Sequence, residues 1–219
     1  MEKPLRNALV ALPCLLLLMS LVVLFGVIHA YMQRRQAERF LAVLQQVQVG
    51  LTNEAAVLRL TEPLRSHREE YLSNAEKGLS FVFENRGLYL LRLAPYTSFR
   101  AYITFGKNGV VIQKSGLEQV AGYVAFDVPG VLCAASVRES LRGEIPLYGV
   151  DPGDLPNHIV YAAAPDDPNF ARRSLIEDDI TYGEAERHRD WTFNLACLTR
   201  IGGCRDARFL LPNAIPTTH

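Results

Sequence analysis

No charge of either sign prevails in this chain: 23 Lys and Arg are matched by 23 Asp and Glu across 219 residues. A balanced chain lacks the basic footprint that favours nucleic acid, and no acidic tail is present either, so no nucleic-acid partner is expected. The signatures that carry chemistry are missing too. There is no G-x-S-x-G elbow, no H-E-x-x-H, no Walker loop and no dinucleotide fingerprint. Serines 80, 115, 136 and 140 have no local partner pattern. Repeats and low-complexity tracts are absent, which excludes solenoids and linker-rich chains. Cysteine is scarce, with four residues and no C-x-x-C.

What is present begins with one long hydrophobic run, Ala8 to Ala30 (ALVALPCLLLLMSLVVLFGVIHA), without a charged residue over 23 positions. As a helix it would extend about 34 Å, enough to cross the hydrocarbon core. Pro13 falls in its first two turns, where a lost backbone bond is tolerated. The run is longer than a signal h-region, which favours a retained anchor. The alternative is a cleaved signal, with Ile28 and Ala30 at the −3 and −1 positions of a cleavage site. Lys3 and Arg6 precede the run, and Arg34, Arg35 and Arg39 follow it, so the positive-inside rule is close to a tie. The short N-terminal tail, the signal-like layout and a cysteine pair favour a C-terminal domain outside the cytoplasm. Cys14 lies inside the run, unlike a lipidated cysteine, which would follow it.

The organisation expected is a tail (1–7), an anchor (8–30), a juxtamembrane helix (31–50) and an α+β domain (51–219). Phe40, Leu41, Val43, Leu44 and Val47 have helical spacing, and Gly50 is a natural stop. The periodic run is too short for a coiled coil, so a spacer helix is expected. Thr52 or Asn53 would cap a short helix burying Ala56, Val57 and Leu60, and Pro63 would open another through Leu72. LSFVFE alternates as a strand, Asn85 to Gly87 reads as a turn, and LYLLRL follows as a further strand. FRAYITF and VVIQKS flank Lys107-Asn108-Gly109, a strong hairpin signal. VAGYVAFDV, VLCAASV and NHIVYAAA read as strands, Arg142 to His158 as a connection, and Asp166 to Ile180 as a polar, mobile loop. Trp191, Leu195 and Leu198 share one face of an amphipathic C-terminal helix that breaks at Gly202-Gly203, and RDARFLL adds a last turn. An antiparallel sheet of about five or six strands with helices on one face follows.

Cys197 and Cys204 flank the Gly-Gly reversal, which can bring two Cα atoms within disulfide range, and they are the disulfide candidate. Zinc would need further Cys or His, and neither His188 nor His219 has ligand spacing to the pair. Cys133, inside VLCAASV, reads as a buried small side chain. Asp166, Asp167, Glu177, Asp178, Asp179, Glu184, Glu186 and Asp190 crowd one stretch, but no D-x-[DN]-x-[DN]-G loop is present and four arginines interleave, so a solvated face is expected rather than calcium. His67, His158 and the Glu186-Arg187-His188 trio read as surface groups. The aromatics Tyr89, Tyr96, Phe99, Tyr102, Phe105, Tyr123 and Phe126 read mostly as sheet core. An aromatic and arginine row including Arg92 and Arg100 is the alternative, a ligand face. No catalytic residue, metal ligand or cofactor is assigned.

Two resemblances enter here. VQVGLTNEAAVLRLTEP resembles the G-x-[ST]-x-x-[DE]-V…L-G-x-P segment of SmpA/OmlA-type small outer-membrane assembly lipoproteins, over about 17 residues. It departs at Ala56 and at Thr61-Glu62. That likeness implies two helices packed on a small antiparallel sheet. WTFNLACLTRIGGCRDARFLLP is similar to the C-terminal tails of uncharacterised single-pass envelope proteins of acidobacterial soil bacteria, over about 22 residues. It implies no activity, and neither likeness carries functional residues across.

The expectation is a bacterial inner-membrane, single-pass protein whose partners are the lipid bilayer, through Ala8 to Ala30, and another envelope protein. Its role would be that of a non-catalytic partner-binding or scaffold module. The alternatives are an extracytoplasmic hydrolase with a hidden site, a small-ligand or lipid-binding domain, and secretion after cleavage near Ala30.

Overall fold

Forty-five residues, Glu2–Gln46, form one uninterrupted helix, α1. The structure is a computed structural model and describes residues 2–73, 76–123, 129–141, 158–161, 174–181, 191–204 and 206–212. The character of α1 changes along its length. From Leu12 to Ile28 large apolar side chains project on every side, Phe25 being 73% exposed. Among the described residues this is the one helix long and apolar enough to cross a membrane. Beyond Ala30 the apolar residues shrink to a stripe, Ala37, Phe40, Leu41 and Leu44, at the spacing of one helix face. That stripe is buried in the main core. The expected spacer helix over 31–50 is therefore corrected: it is the second half of α1, and it is a core element. It stops at Gln46; Gly50, at φ 79°, lies in the turn beyond and gives its N–H to Val111 O at 2.7 Å.

Helix α2 (Glu54–Leu60) is capped as expected, Asn53 accepting the Ala56 N–H at 2.9 Å. Val57 is buried, but Leu60 faces solvent instead of the core. A 3-10 turn at Glu62–His67 replaces the helix expected to run through Leu72. Residues Arg68–Ser73 form strand β1 instead, antiparallel to β2 (Glu76–Glu84). The reason is local. The missing side chain of Gly78 leaves the space that the Tyr71 ring fills, and the Tyr71 hydroxyl reaches Thr104 Oγ1 at 2.8 Å.

After β2 the chain makes helix α3 (Arg86–Leu90) where LYLLRL suggests a strand. Asn85, fully buried, closes this excursion: its amide donates to Pro95 O at 2.9 Å and its carbonyl accepts the Thr97 N–H at 2.8 Å. Strand β3 (Tyr96–Phe105) then pairs with β4 (Val111–Tyr123) through the Asn108-Gly109 turn, with Gly109 at φ 72°. Strands β5 (Pro129–Ser140), β6 (His158–Tyr161) and β7 (Ser174–Thr181) complete a sheet of order β1-β2-β3-β4-β5-β7-β6. All neighbours are antiparallel except β5 and β7, which run parallel. Strands β1 to β5 are the expected antiparallel sheet, which β7 and β6 extend to seven strands, and residues 174–180 of the expected polar loop belong to a strand. The long connection at 142–157 lies outside the described residues.

The expected C-terminal amphipathic helix is also corrected. Residues 182–190 lie outside the described residues, and Trp191 to Asn194 have no helical structure before a 3-10 turn at Leu195–Leu198. Trp191, Leu195 and Leu198 are nevertheless buried. Helix α4 (Ala207–Leu210) is the expected last turn.

α1 lies on one face of the sheet. Phe40 stacks on Phe81 at 4.1 Å between ring centroids, and the aromatic row continues through Phe83, Phe99 and Phe193. Phe99 and Phe105 are core, whereas Tyr96 and Tyr102 fall at the opposite parity of β3 and are only half-buried. Cys197 and Cys204 form a disulfide with Cα atoms 5.6 Å apart. Gly202 and Gly203, at φ 80° and 70°, make the reversal between them, and a Cβ at Gly203 would run into the Pro95 ring. Cys133 is buried beneath this clip, its thiol 3.6 Å from Cys204 O, and burial pushes its pKa up to about 12.

Replacing both clip cysteines with serine should lower stability by about 2–3 kcal/mol, the loop-closure value for so short a ring. Thermal unfolding of the detergent-solubilised chain with and without reductant checks this. Reductant should shift the wild type and leave the double variant unmoved.

Candidate functional site

Alternation along β4 puts Lys114, Gly116, Glu118 and Val120 on the face that α1 covers. Two of these four are ionisable and buried. The register sets Lys114 opposite Ile103 on β3 and Glu139 on β5, and sets Glu118 opposite Phe99 and Ala135. Lys114 Nζ lies 3.0 Å from Glu139 Oε2, with the two side chains 4% and 0% exposed. Charge rather than aligned hydrogen bonding joins them, since neither Glu139 oxygen has a partner in hydrogen-bond geometry. The ammonium donates to Leu44 O at 2.9 Å and Val47 O at 2.7 Å, and it stands 4.9 Å from the Trp191 ring centre.

Leu44 belongs to the last turn of α1, whose carbonyls have no partner within the helix. The negative end of the helix dipole meets the lysine charge there. Gln45 adds a second tie, donating to Trp191 O at 2.9 Å. Gly116 makes room for the rings above it: a Cβ there would stand 3.1 Å from Phe193 and 3.2 Å from Trp191. With donors held by two carbonyls and its charge faced by a carboxylate, Lys114 is built as a clamp.

Glu118 is different. It is fully buried and neither carboxyl oxygen has a hydrogen-bond partner. Burial pushes its pKa well above the ordinary 4.5, against a smaller opposing pull from Arg34. Arg34 itself bonds to Glu38 at 2.7 Å and to Thr199 Oγ1 at 3.3 Å.

A cleft of about 480 Å³ opens where α1, β1, β2 and α3 meet, lined by His29, Gln33, His67, Glu69, Glu84, Arg86 and Arg100 among others. His67 has both ring nitrogens engaged, with Gln36 Oε1 at 2.6 Å and Val82 O at 3.2 Å, so it is partly buried rather than a surface group. Glu84 accepts from the Tyr96 hydroxyl. The cleft gathers groups of both signs with hydrogen-bonding capacity. Arg100 is thus brought to the cleft together with Arg86, whereas Arg92 lies elsewhere on the surface. Of the acidic candidates, Glu177, Asp178 and Asp179 fall on β7, and His158 begins β6. Asp166, Asp167, Glu184, Glu186, His188, Asp190 and Phe126 lie outside the described residues. Among the described residues no group of three or more His, Cys, Asp or Glu gathers as a metal would require.

Sequence reasoning missed Lys114, Glu118 and Glu139. The signal was the parity of VIQKSGLEQV, which places both charges of β4 in phase with Val120.

Lys114→Met should cost about 3–5 kcal/mol, because it strands the Glu139 carboxylate, and Lys114→Met with Glu139→Leu should recover most of that loss. Urea unfolding of the three detergent-solubilised chains reads both numbers. For Glu118 the sign follows from linkage. A raised folded pKa means that the folded chain holds a proton the unfolded chain has released. The stability contribution is then whole below pH 4.5 and declines as pH rises towards the folded value. Glu118→Gln should therefore match the wild type near pH 4 and exceed it at pH 8, by about 1.4 kcal/mol for each pH unit of the window crossed. Equal melting temperatures at pH 8 would contradict it. No family model, no curated protein and no solved structure matches this chain.

Proposed function

We propose that this chain is a retained single-pass membrane protein whose folded part stands outside the cytoplasm, as a non-catalytic module that binds or positions another envelope protein. One observation supports this reading above the rest: the apolar helix and the core helix are the same helix, α1. Cleavage near Ala30 would sever α1 and free the Ala30 end that Leu88 and Ala94 pack against. Retention keeps the domain intact. The Cys197–Cys204 bond supports an oxidising compartment. The resemblance to envelope proteins through the CLTRIGGC tail agrees with that placement.

A second reading, binding of a small ligand or lipid, draws support from the cleft at His29, Glu84, Arg86 and Arg100. It differs from the first in what would be retained on purification.

Protease added to intact spheroplasts should degrade the C-terminal domain, and the mature chain should keep the mass of an uncleaved N-terminus. A chain protected from protease, or one beginning after Ala30, would overturn the topology. Crosslinked membranes should yield a specific protein partner in repeated purifications. A chain that emerges with extracted lipid alone would favour the second reading.

A further inference from the structure

The apolar end of α1 is not bare. Gly26 meets Gly87 of α3: a Cβ built on Gly87 would stand 3.3 Å from the Gly26 Cα, and one at Gly26 would strike Leu91 at 2.7 Å. Two glycines at one crossing let the backbones touch, which is how helices pack closely inside a bilayer. Ala30, Leu88 and Ala94 form a small core of their own beside this contact, separate from the main one. Gly26 is four residues inside the apolar run, so α3 touches α1 about 6 Å below the level of Ala30, at 1.5 Å per residue. If α1 spans a bilayer, α3 is too deep to stand in water.

The side chains agree with that depth. Leu90 is 71% exposed and Ile201 is 68% exposed, although the domain has ample core to hide them. Gly202 gives its N–H to Leu93 O at 3.1 Å, which ties the Ile201 turn to the chain just beyond α3. Arg86 at the start of α3, Arg92 just beyond its end and Arg200 beside Ile201 are exposed on the same two segments. Arg92, two residues beyond the end of α3, has φ 56°, a left-handed position that glycine would occupy without strain. Keeping a long cationic side chain there, against the conformational preference, points to a use for the charge. Tyr31 sits on α1 at the same edge, with the Arg35 guanidinium 5.0 Å from its ring, as aromatic and basic residues do at a membrane boundary.

Resting on the reading of Ala8 to Ala30 as a retained span, we propose that α3 and the Ile201 turn form a second membrane contact. Leu90 and Ile201 would enter the interfacial region of the leaflet from which α1 emerges, with Arg86, Arg92 and Arg200 on lipid phosphates. Amphipathic elements of this kind lie about 5–10 Å into the headgroup boundary, in keeping with the depth set by Gly26. The domain would then be held at two points, and could not swing about its stalk.

The full chain, reconstituted in phosphatidylethanolamine–phosphatidylglycerol vesicles, tests this with tryptophan as a depth probe, since the native Trp191 is buried and gives a constant background. Leu90→Trp and, independently, Ile201→Trp should emit at shorter wavelength than Leu72→Trp at the exposed far hairpin. Lipids brominated near the headgroup end of the chain should quench them more strongly, by about two-fold or more. If Leu17→Trp in α1 is quenched but Leu90→Trp and Ile201→Trp behave like Leu72→Trp, the second contact does not exist. If Leu17→Trp also escapes quenching, the span itself fails, and this proposal with it.

Discussion

The structure depends on one ammonium group. Lys114 reaches from the middle of the sheet to the last carbonyls of α1, and its charge is matched by Glu139 on the next strand. Remove the helix, and a lysine and a carboxylate are left in an apolar layer. Remove the lysine, and the helix end has unpartnered carbonyls above a buried anion. Either half alone is costly, so the pair couples the end of the 45-residue helix to the sheet. A hydrophobic stripe alone would not be so particular. Phe40 against Phe81 permits a helix to slide or rotate by a fraction of a turn at little cost, whereas two carbonyls converging on one nitrogen fix both rotation and height.

Burying that pair has an electrostatic cost, and the local design reduces it. The two carbonyls lie at the negative end of a helix dipole, and the Trp191 ring presents its electron-rich face to the cation. Gly116 is what lets the ring approach, since any side chain there would stand in its place. Glu118, four residues along the same face, has no such arrangement and accordingly favours its neutral form. The same strand thus carries one charge that is compensated and one that is suppressed. Lys114 and Gln45 both reach Trp191, which ties the C-terminal segment to the end of α1.

Much of this was legible in the sequence where a residue type has one dominant physical role. The uncharged run from Ala8 to Ala30, the Asn53 cap, the Asn108-Gly109 turn and the cysteines around Gly202-Gly203 all act locally, and the structure has each where spacing put it. The failures have a common cause: tertiary partners decided between two locally acceptable states. LYLLRL is apolar enough for a strand or a helix, and the packing of Gly87 on Gly26, 61 residues earlier, selects the helix. REEYLS reads as helix until Gly78 offers Tyr71 a place to lie. SLIEDDIT looks like solvent-exposed loop because its charges conceal a strand that gains its hydrogen bonds at the side of β5. The buried ionisable residues were hidden by the habit of reading charge as surface, although their parity with Val120 was plain in the sequence.

The continuity of α1 also constrains how the sheet can move. A flexible stalk lets a domain search for partners at varied heights and angles, and its effective concentration near a fixed partner is correspondingly diluted. Here the segment between the apolar run and the core is helical throughout and contains no glycine from His29 to Val49. The sheet therefore has little freedom to change its attitude to the apolar half of α1, and Lys114 fixes that attitude from the far end of the helix while the Gly26–Gly87 contact fixes it from the near end. Two attachments about twenty residues apart, or roughly 30 Å along the axis, leave little room for rotation about either. A sheet held so firmly keeps one fixed attitude to the axis of α1.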